Sequence, residues 1–366
     1  MKTDVAIIGG GLAGLYLAYL FERQGVDYRL FEAQARLGGR IFSDASELEG
    51  ERGFDLGPTW FWPHQNKIQE LVKQLKLTSY EQYTRGDVLY QLHENTPAQR
   101  TAGASVMQSF RIAGGMARLI DALARHIDIN KIHLSQPVNQ LEKNKNENES
   151  GWSLTFGQNG VEHNLHSKKV IVATPPRIAV QQFSLDQSLP NTLIEKLKSV
   201  PTWMAAQAKF VATYEKPFWR TSGLSGEMFS RVGPLVEVHD ASADIDSHYA
   251  LFGFLGMPVN AREQFSDDAL KQLCLRQLVA VFGEPASQVQ SLYFKDWAKD
   301  AWITTAQDIN CMPEHPYINL QAYQSALVDI GLFFAGTEYA SNQGEAGYLE
   351  GALCSAELAF KIMTEK

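Results

Sequence analysis

Three glycines, Gly9, Gly11 and Gly14, stand in the spacing Gly-x-Gly-x-x-Gly, directly after the apolar run Val5–Ile8 and across the start of a helical pattern that begins at Leu12. In that setting the first glycine permits a tight turn and the second lets backbone approach a pyrophosphate. The third, next to Ala13, lets helix and strand pack closely. The helix N-terminus behind them offers free N–H groups and partial positive charge to phosphate. Glu32 follows the next strand, Tyr28–Phe31, near the spacing of about 20 residues expected of a carboxylate that accepts from a ribose diol. A glycine turn with an unrelated surface glutamate is the plainer alternative, and the strand–turn–helix–strand context argues against it. The run Glu32-Ala33-Gln34-Ala35-Arg36-Leu37-Gly38-Gly39-Arg40 then adds a second glycine turn between two arginines. FAD needs such extra contacts because its flavin half extends over a second part of the protein. Arg36 and Arg40 are candidates for anchoring phosphate or ordering the flavin loop, with Ala33 and Gly39 in the same set. The segment is expected to bind FAD rather than NAD.

The elements that must position these residues follow from apolar spacing and breakers. Val5–Ile8 reads as a buried parallel strand and Leu12–Gln24 as a helix stopped by Gly25. Helices are expected over His64–Leu77, Arg118–Ile127, Ser266–Phe282 (capped by Ser266 or an adjacent Asp) and Gly347–Met363. Strands are expected at His133-Leu134, Trp152–Phe156, Val161–His166, Lys169–Ala173, Met204–Tyr214, His248–Phe254 and Leu332–Ala335. Gly157-Gln158-Asn159-Gly160 carries a hairpin signal. The run Lys143–Ser150 reads as an exposed loop tip, and Glu47–Glu51 as a solvated charged turn.

The chain has 366 residues, 45% hydrophobic and 20% charged, with a net charge of −8. That length suits one large unit or two interleaved domains, at about 150 residues per domain. The acidic balance and the lack of a Lys/Arg block argue against nucleic acid. Cys274, Cys311 and Cys354 are odd in number and widely spaced, so neither a disulfide framework nor a Cys-x-x-Cys pair is expected. With no signal-peptide pattern and no membrane-spanning apolar run, the expectation is a cytoplasmic protein without a membrane partner. The nine histidines show no metal-ligand spacing.

Taken together, the chain resembles the flavin-containing amine oxidase family, which includes the monoamine oxidases. The resemblance rests on several blocks in order. They are Glu32-Ala33…Arg36…Gly38-Gly39-Arg40, Asp55-Leu56-Gly57 with Gln65-Asn66, Gly114-Gly115-Met116, Pro137-Val138 and Val170–Pro176. Two more close the chain: Phe333-Phe334-Ala335-Gly336-Thr337-Glu338 and Gly347-Tyr348-x-Glu350-Gly351-Ala352. It implies an α/β fold in which an FAD-binding, Rossmann-like parallel-sheet domain (1–76, 109–198 and 301–366) is interleaved with a mixed α+β substrate domain (77–108 and 199–300). It also implies that Val138 meets the adenine through its backbone. Gly336 would lie at the flavin, and Glu338 would hydrogen-bond the ribityl chain unless it is a plain surface carboxylate.

The chemistry implied is oxidation of a primary or secondary amine by hydride transfer to flavin N5. It gives an imine, then aldehyde or ketone plus ammonia, while O2 reoxidises the flavin to yield H2O2. The cofactor does the difficult step, and the protein positions and desolvates. Lys209, ahead of Tyr214-Glu215-Lys216-Pro217-Phe218-Trp219, matches the lysine that holds a water against N5. On an alternating strand it would otherwise point to solvent. Tyr348 matches one wall of the aromatic pair that sandwiches the amine. Counting from Trp297 sets Ala306 at the flavin-linking cysteine and Gln307 at the first aromatic. FAD is therefore expected to be non-covalent, and Trp302 is a candidate for the missing wall, alongside a plain role as a core tryptophan. Trp60 stands where L-amino-acid oxidases carry an arginine for the substrate carboxylate, which favours an amine without one. Trp60 and Trp62 are expected to line an aromatic pocket, ordinary packing being the alternative.

Only 32 residues separate Leu77 from Phe110, where the family inserts a helical part, and no membrane anchor is expected after the last helix. A small, soluble, bacterial-type member is expected. Two other readings remain open: an FAD-dependent desaturase or dehydrogenase of a carbon skeleton, and a non-catalytic FAD-binding redox scaffold.

Overall fold

A computed structural model describes residues 1–44, 53–94, 96–103, 108–144, 150–243, 249–310 and 315–364. Glu47–Glu51, most of the 143–150 run and Cys311 lie outside the described residues. The strand Lys2–Ile8 is the centre of a seven-stranded sheet. It pairs in parallel with Tyr28–Phe31 on one side and with Val161–Val172 on the other, so that Ile7 lies between Leu30 and Ile171. Tyr28–Phe31 is followed outward by Ile132–His133. Beyond Val161–Val172 come Trp152–Gln158 and Val138–Lys143, antiparallel, while Leu332–Phe334 pairs in parallel with residues 170–172.

Both faces of this sheet are covered, which is why its central strands are continuously apolar rather than alternating. Ile7, Leu30, Ile171 and Phe333 face the helices Leu12–Gln24, Ala117–Ala124 and Leu349–Thr364. Ala6, Ile8, Val170 and Phe334 face the opposite layer, which includes Ala179 and Leu193 from the helices Pro176–Gln182 and Asn191–Ser199. The expected hairpin forms with a link of two residues, because Gly157 and Gln158 remain in the strand. Asn159 and Gly160 both take positive φ, 55° and 79°, as the tightest hairpin turns require. The separately expected strands 161–166 and 169–173 are one strand, since no breaker stands between them.

A second seven-stranded sheet takes its strands from 87–101 and 208–296. Its order is Val289–Asp296, Ala208–Tyr214, Tyr249–Leu255, Leu235–Asp240, Leu224–Ser230, Asp87–Gln91, Gln99–Thr101. All neighbours are antiparallel except Leu224–Ser230 with Asp87–Gln91. One face buries Phe210, Ala212 and Leu251 against Leu270, Cys274 and Leu278 of the helix Asp267–Phe282, which Ser266 caps by accepting from Ala269 N–H. The other face, with Val211, Phe252 and Tyr293, packs on Phe54, Leu56 and Trp60. This is an α/β parallel-sheet unit interleaved with a mixed helix-and-sheet unit. The strand expected from Met204 starts at Ala208, because Met204 turns the chain with φ 59°.

The parallel sheet and the first helix meet at Gly14, where an added Cβ would lie 1.9 Å from the Gly9 carbonyl oxygen. Only backbone movement relieves that clash. Gly14→Ala is expected to destabilise the protein by about 3 kcal/mol or more, read as a lowered urea midpoint.

Candidate active site

One cavity of about 350 Å³ runs from the glycine turn to the second sheet. Gly9, Gly11, Ala13, Glu32, Ala33 and Val138 line one end, and Trp60, Trp62, Lys209 and Tyr348 line the other, with Gly39, Arg40 and Gly336 on the wall as well. Residues more than 300 apart in sequence thus share one space.

The glycine-turn end is chemically suited to a dinucleotide. The first helix starts at Gly11 with no side-chain cap, so its leading N–H groups remain available to phosphate. An added Cβ on Gly11 would meet only backbone atoms at 4.0 Å, so a ligand can come close to this backbone. Thr174, also on the wall, carries a buried hydroxyl with no partner among the described residues. Glu32 accepts from Gly10 N–H at 2.7 Å and Gln34 N–H at 2.8 Å, which fixes its carboxylate at the end of the strand. Burial pushes its carboxyl up, against those two N–H groups and the Arg36 charge. A carboxylate has lone pairs beyond these two bonds with which to meet a ribose diol. These residues fit the adenosine and pyrophosphate portion of FAD.

Three of the expected cofactor residues, Arg36, Glu338 and Gly14, do not line the cavity. The Arg36 guanidinium donates to Gly39 O at 2.8 Å, Leu37 O at 3.2 Å and Ile41 O at 3.3 Å, so it orders the second glycine loop. Glu338 is wholly buried behind the wall, neither a surface carboxylate nor a cavity residue. Arg40 donates to it twice, Nη1 to Oε1 at 2.6 Å and Nη2 to Oε2 at 2.9 Å. The Trp203 backbone joins this pair, its N–H donating to Glu338 at 3.2 Å and its carbonyl accepting from Arg40 at 3.2 Å. Gly14 acts through packing rather than by lining the cavity.

At the other end Lys209 is only 2% exposed and lies on the strand next to the edge of the second sheet, paired with Phe254 and Lys295, not turned to solvent. Its ammonium donates to Gly57 O at 2.9 Å and to Thr59 Oγ1, and sits 4.1 Å from the centroid of the Phe252 ring. Burial pushes it down to about 7, with Asp55 opposing and Arg111 reinforcing that shift. Asp55 accepts from Ser43 Oγ at 2.6 Å and Met116 N–H at 2.7 Å, and Arg111 stands 4.0 Å away.

Tyr348 stands edge-on to Trp62, ring centroids 5.1 Å apart, and Trp60 and Trp62 meet edge-on at 6.5 Å. Trp302 lines the cavity but is 37% exposed, so it stands at the mouth rather than in a core. Gln307 is exposed and absent from the wall, contrary to its expected place. The turn around it is organised by Asp308, which accepts from Thr305 N–H and Oγ1, Thr202 N–H and Arg177. Drawing Asp308 inward leaves its neighbour outward. Ala306, the position matched to the flavin-linking cysteine, is exposed too. Trp203, Thr59 and His315 were not foreseen. Trp203 and Thr59 stand beside recognisable blocks, whereas nothing near His315 signals its place. Among the described residues no helix is long and apolar enough to cross a membrane, and no group of three or more His, Cys, Asp or Glu is placed to hold a metal.

A parallel sheet with a glycine turn, leading into a cavity shared with a second sheet, defines a dinucleotide-dependent oxidoreductase. The family is settled by comparison: the chain belongs to the flavin-containing amine oxidoreductases, whose family model matches residues 89–359. The NAD(P)-binding Rossmann-like domain model matches residues 7–75. A probable flavin-containing monoamine oxidase A of Dictyostelium discoideum is 24% identical, covering 99% of this chain and 97% of that protein. Putrescine oxidase of Kocuria rosea is 22% identical over 82% of this chain and 83% of its own. Cyclohexylamine oxidase from Brevibacterium oxydans IH-35A shares the fold with a TM-score of 0.80 at 20% identity, covering 99% of both chains. Wild-type putrescine oxidase bound to putrescine does so with a TM-score of 0.78, at 20% identity over 100% of both chains. The protein is an FAD-dependent oxidoreductase.

The buried ammonium has a consequence for stability. Lys209 titrates near 7 when folded, against an ordinary value of 10.5. Between these values the unfolded chain binds the extra proton, so this group's contribution to stability rises with pH from about 7 to about 10. Lys209→Met is expected to flatten that rise, measured as the urea midpoint across the same range.

Proposed function

We propose that the protein oxidises a primary or secondary amine lacking an α-carboxylate, with O2 as electron acceptor and with FAD held non-covalently. The observation that carries this reading is that Lys209 and Tyr348 face the same cavity as the dinucleotide turn. FAD supplies the two-electron acceptor: a hydride leaves the amine's α carbon, giving an imine, and the electrons pass to oxygen, giving H2O2. The chain's own residues bind the amine and exclude water. Trp60, Trp62 and Tyr348 form an apolar, aromatic lining, in which desolvation penalises the ammonium and so favours the neutral amine. Lys209, held by Gly57 and Thr59, offers its remaining hydrogen-bonding capacity to the cavity, where it can hold a water.

The absence of a carboxylate from the substrate is supported by charge. Among the described residues lining the cavity the only guanidinium is Arg40, already taken up by Glu338 in a bidentate pair. No second fork is present on that wall to clamp a carboxylate. Non-covalent FAD is supported by the exposed position of Ala306 and its lack of a thiol.

Mixing under anaerobic conditions tests the substrate class. Benzylamine or putrescine is expected to bleach the flavin at least tenfold faster than phenylalanine or ornithine at the same pH. Equal or faster bleaching by the amino acids would overturn the proposal. Acid precipitation tests the linkage: the yellow colour is expected in the supernatant, and flavin retained in the pellet would show a covalent bond.

A further inference from the structure

On the solvent side of the cavity wall one exposed ring, that of His315, contacts two others. His315 does not line the cavity, yet it stacks on Trp203 with ring centroids 4.1 Å apart and planes 23° apart. It also meets Tyr348 at 4.9 Å and 39°. Its Nδ1 lies 2.9 Å from the carbonyl oxygen of Ala346, an acceptor only, so Nδ1 carries the proton. In the neutral ring Nε2 is then an acceptor, and the Tyr348 hydroxyl, 3.3 Å away, donates to it. The backbone makes room for this arrangement: Gly347 takes φ 87°, and an added Cβ there would lie 2.7 Å from His315 Nδ1 and 3.3 Å from Trp203 Cδ2. Trp203 is fixed from its other side by the Arg40–Glu338 pair. Met204, next in the chain and on the cavity wall, is held at φ 59°, a conformation that persists for a non-glycine residue only where its surroundings impose it.

We propose that His315 is a positioning residue, which sets the ring planes of Tyr348 and Trp203 against which the substrate amine docks. The proposal rests on the amine-oxidising reading of the same cavity. It makes Trp203, rather than Trp302 at the mouth, the aromatic partner of Tyr348. It also runs a line of contact from Arg40 through Glu338, Trp203 and His315 to Tyr348, so the glycine loop and the substrate wall are ordered together.

tert-Butylamine tests this on the FAD-loaded enzyme, because the carbon bearing its nitrogen has no hydrogen and it binds without being oxidised. Its Kd is read from the shift it causes in the flavin spectrum. FAD affinity is followed separately by flavin fluorescence on reconstitution. His315→Ala is expected to raise the Kd of tert-butylamine about three- to fivefold, the size expected for a displaced aromatic wall, while FAD affinity stays within about twofold. His315→Gln, whose amide oxygen reaches the place of Nε2, is expected to recover most of the loss. His315→Asn, which reaches only the place of Nδ1, is expected not to. In a Tyr348→Leu background His315→Ala is expected to have less effect than in the wild type. An unchanged Kd in His315→Ala, together with a raised one in Tyr348→Leu, would overturn the role of His315 alone. An unchanged Kd in Tyr348→Leu would overturn the amine-binding reading of the wall as well. If His315→Ala fails to take up FAD, the Gln and Asn variants decide: equal Kd values in the two overturn the proposal.

Discussion

The ion pair between Arg40 and Glu338 is the interaction on which the rest of this site depends. Its two residues are 298 positions apart, one at the end of the second glycine loop and the other just past the strand Leu332–Phe334. The pair is bidentate and Glu338 is wholly buried, so Arg40, itself a quarter exposed, satisfies a charge that the interior would otherwise penalise heavily. The Trp203 backbone, bonded to both members, ties in the stretch that leads to the strand carrying Lys209. Three distant parts of the chain are thereby fixed at one point on the cavity wall, between its dinucleotide end and its aromatic end.

The second constraint is Lys209. A lysine on an antiparallel strand normally faces water, yet this one faces the aromatic side of its sheet. The segment Gly57–Thr59 makes that possible by giving the ammonium a carbonyl and a hydroxyl, while Asp55, two residues earlier in the same segment, opposes the loss of its charge. The cost of burial is not removed, as the downward shift of the group shows. A lysine that titrates near 7 can keep donating hydrogen bonds with or without its extra proton.

Much of this was legible in the sequence, for identifiable reasons. The glycine turn and Glu32 were readable because their roles depend on backbone and spacing, which sequence displays directly. Both faces of the Lys2–Ile8 strand are buried, so its apolar run gave it away. The strands Leu224–Ser230 and Leu235–Asp240 escaped notice, because Gly226, Glu227, Glu237 and His239 interrupt any apolar alternation. Gln307 was assigned by counting from Trp297, and counting fails where a buried aspartate such as Asp308 reorganises a turn. Glu338 was expected to face a ligand because its motif does; that its partner is Arg40 is a long-range pairing that no local pattern encodes. Trp203 and His315 were missed on the same ground, since each gains its role only from what folds onto it.

The strand order carries a further consequence, for how the protein is made. The strand Leu332–Phe334 pairs with residues 170–172, and Glu338 closes on Arg40, so the cofactor cradle stays open until almost the whole chain has left the ribosome. Parallel pairings over such separations form slowly, and the unpaired sheet edges stay open to aggregation in the meantime. A ligand that binds only the closed cradle adds to the stability of the folded chain, the more so at higher free concentration.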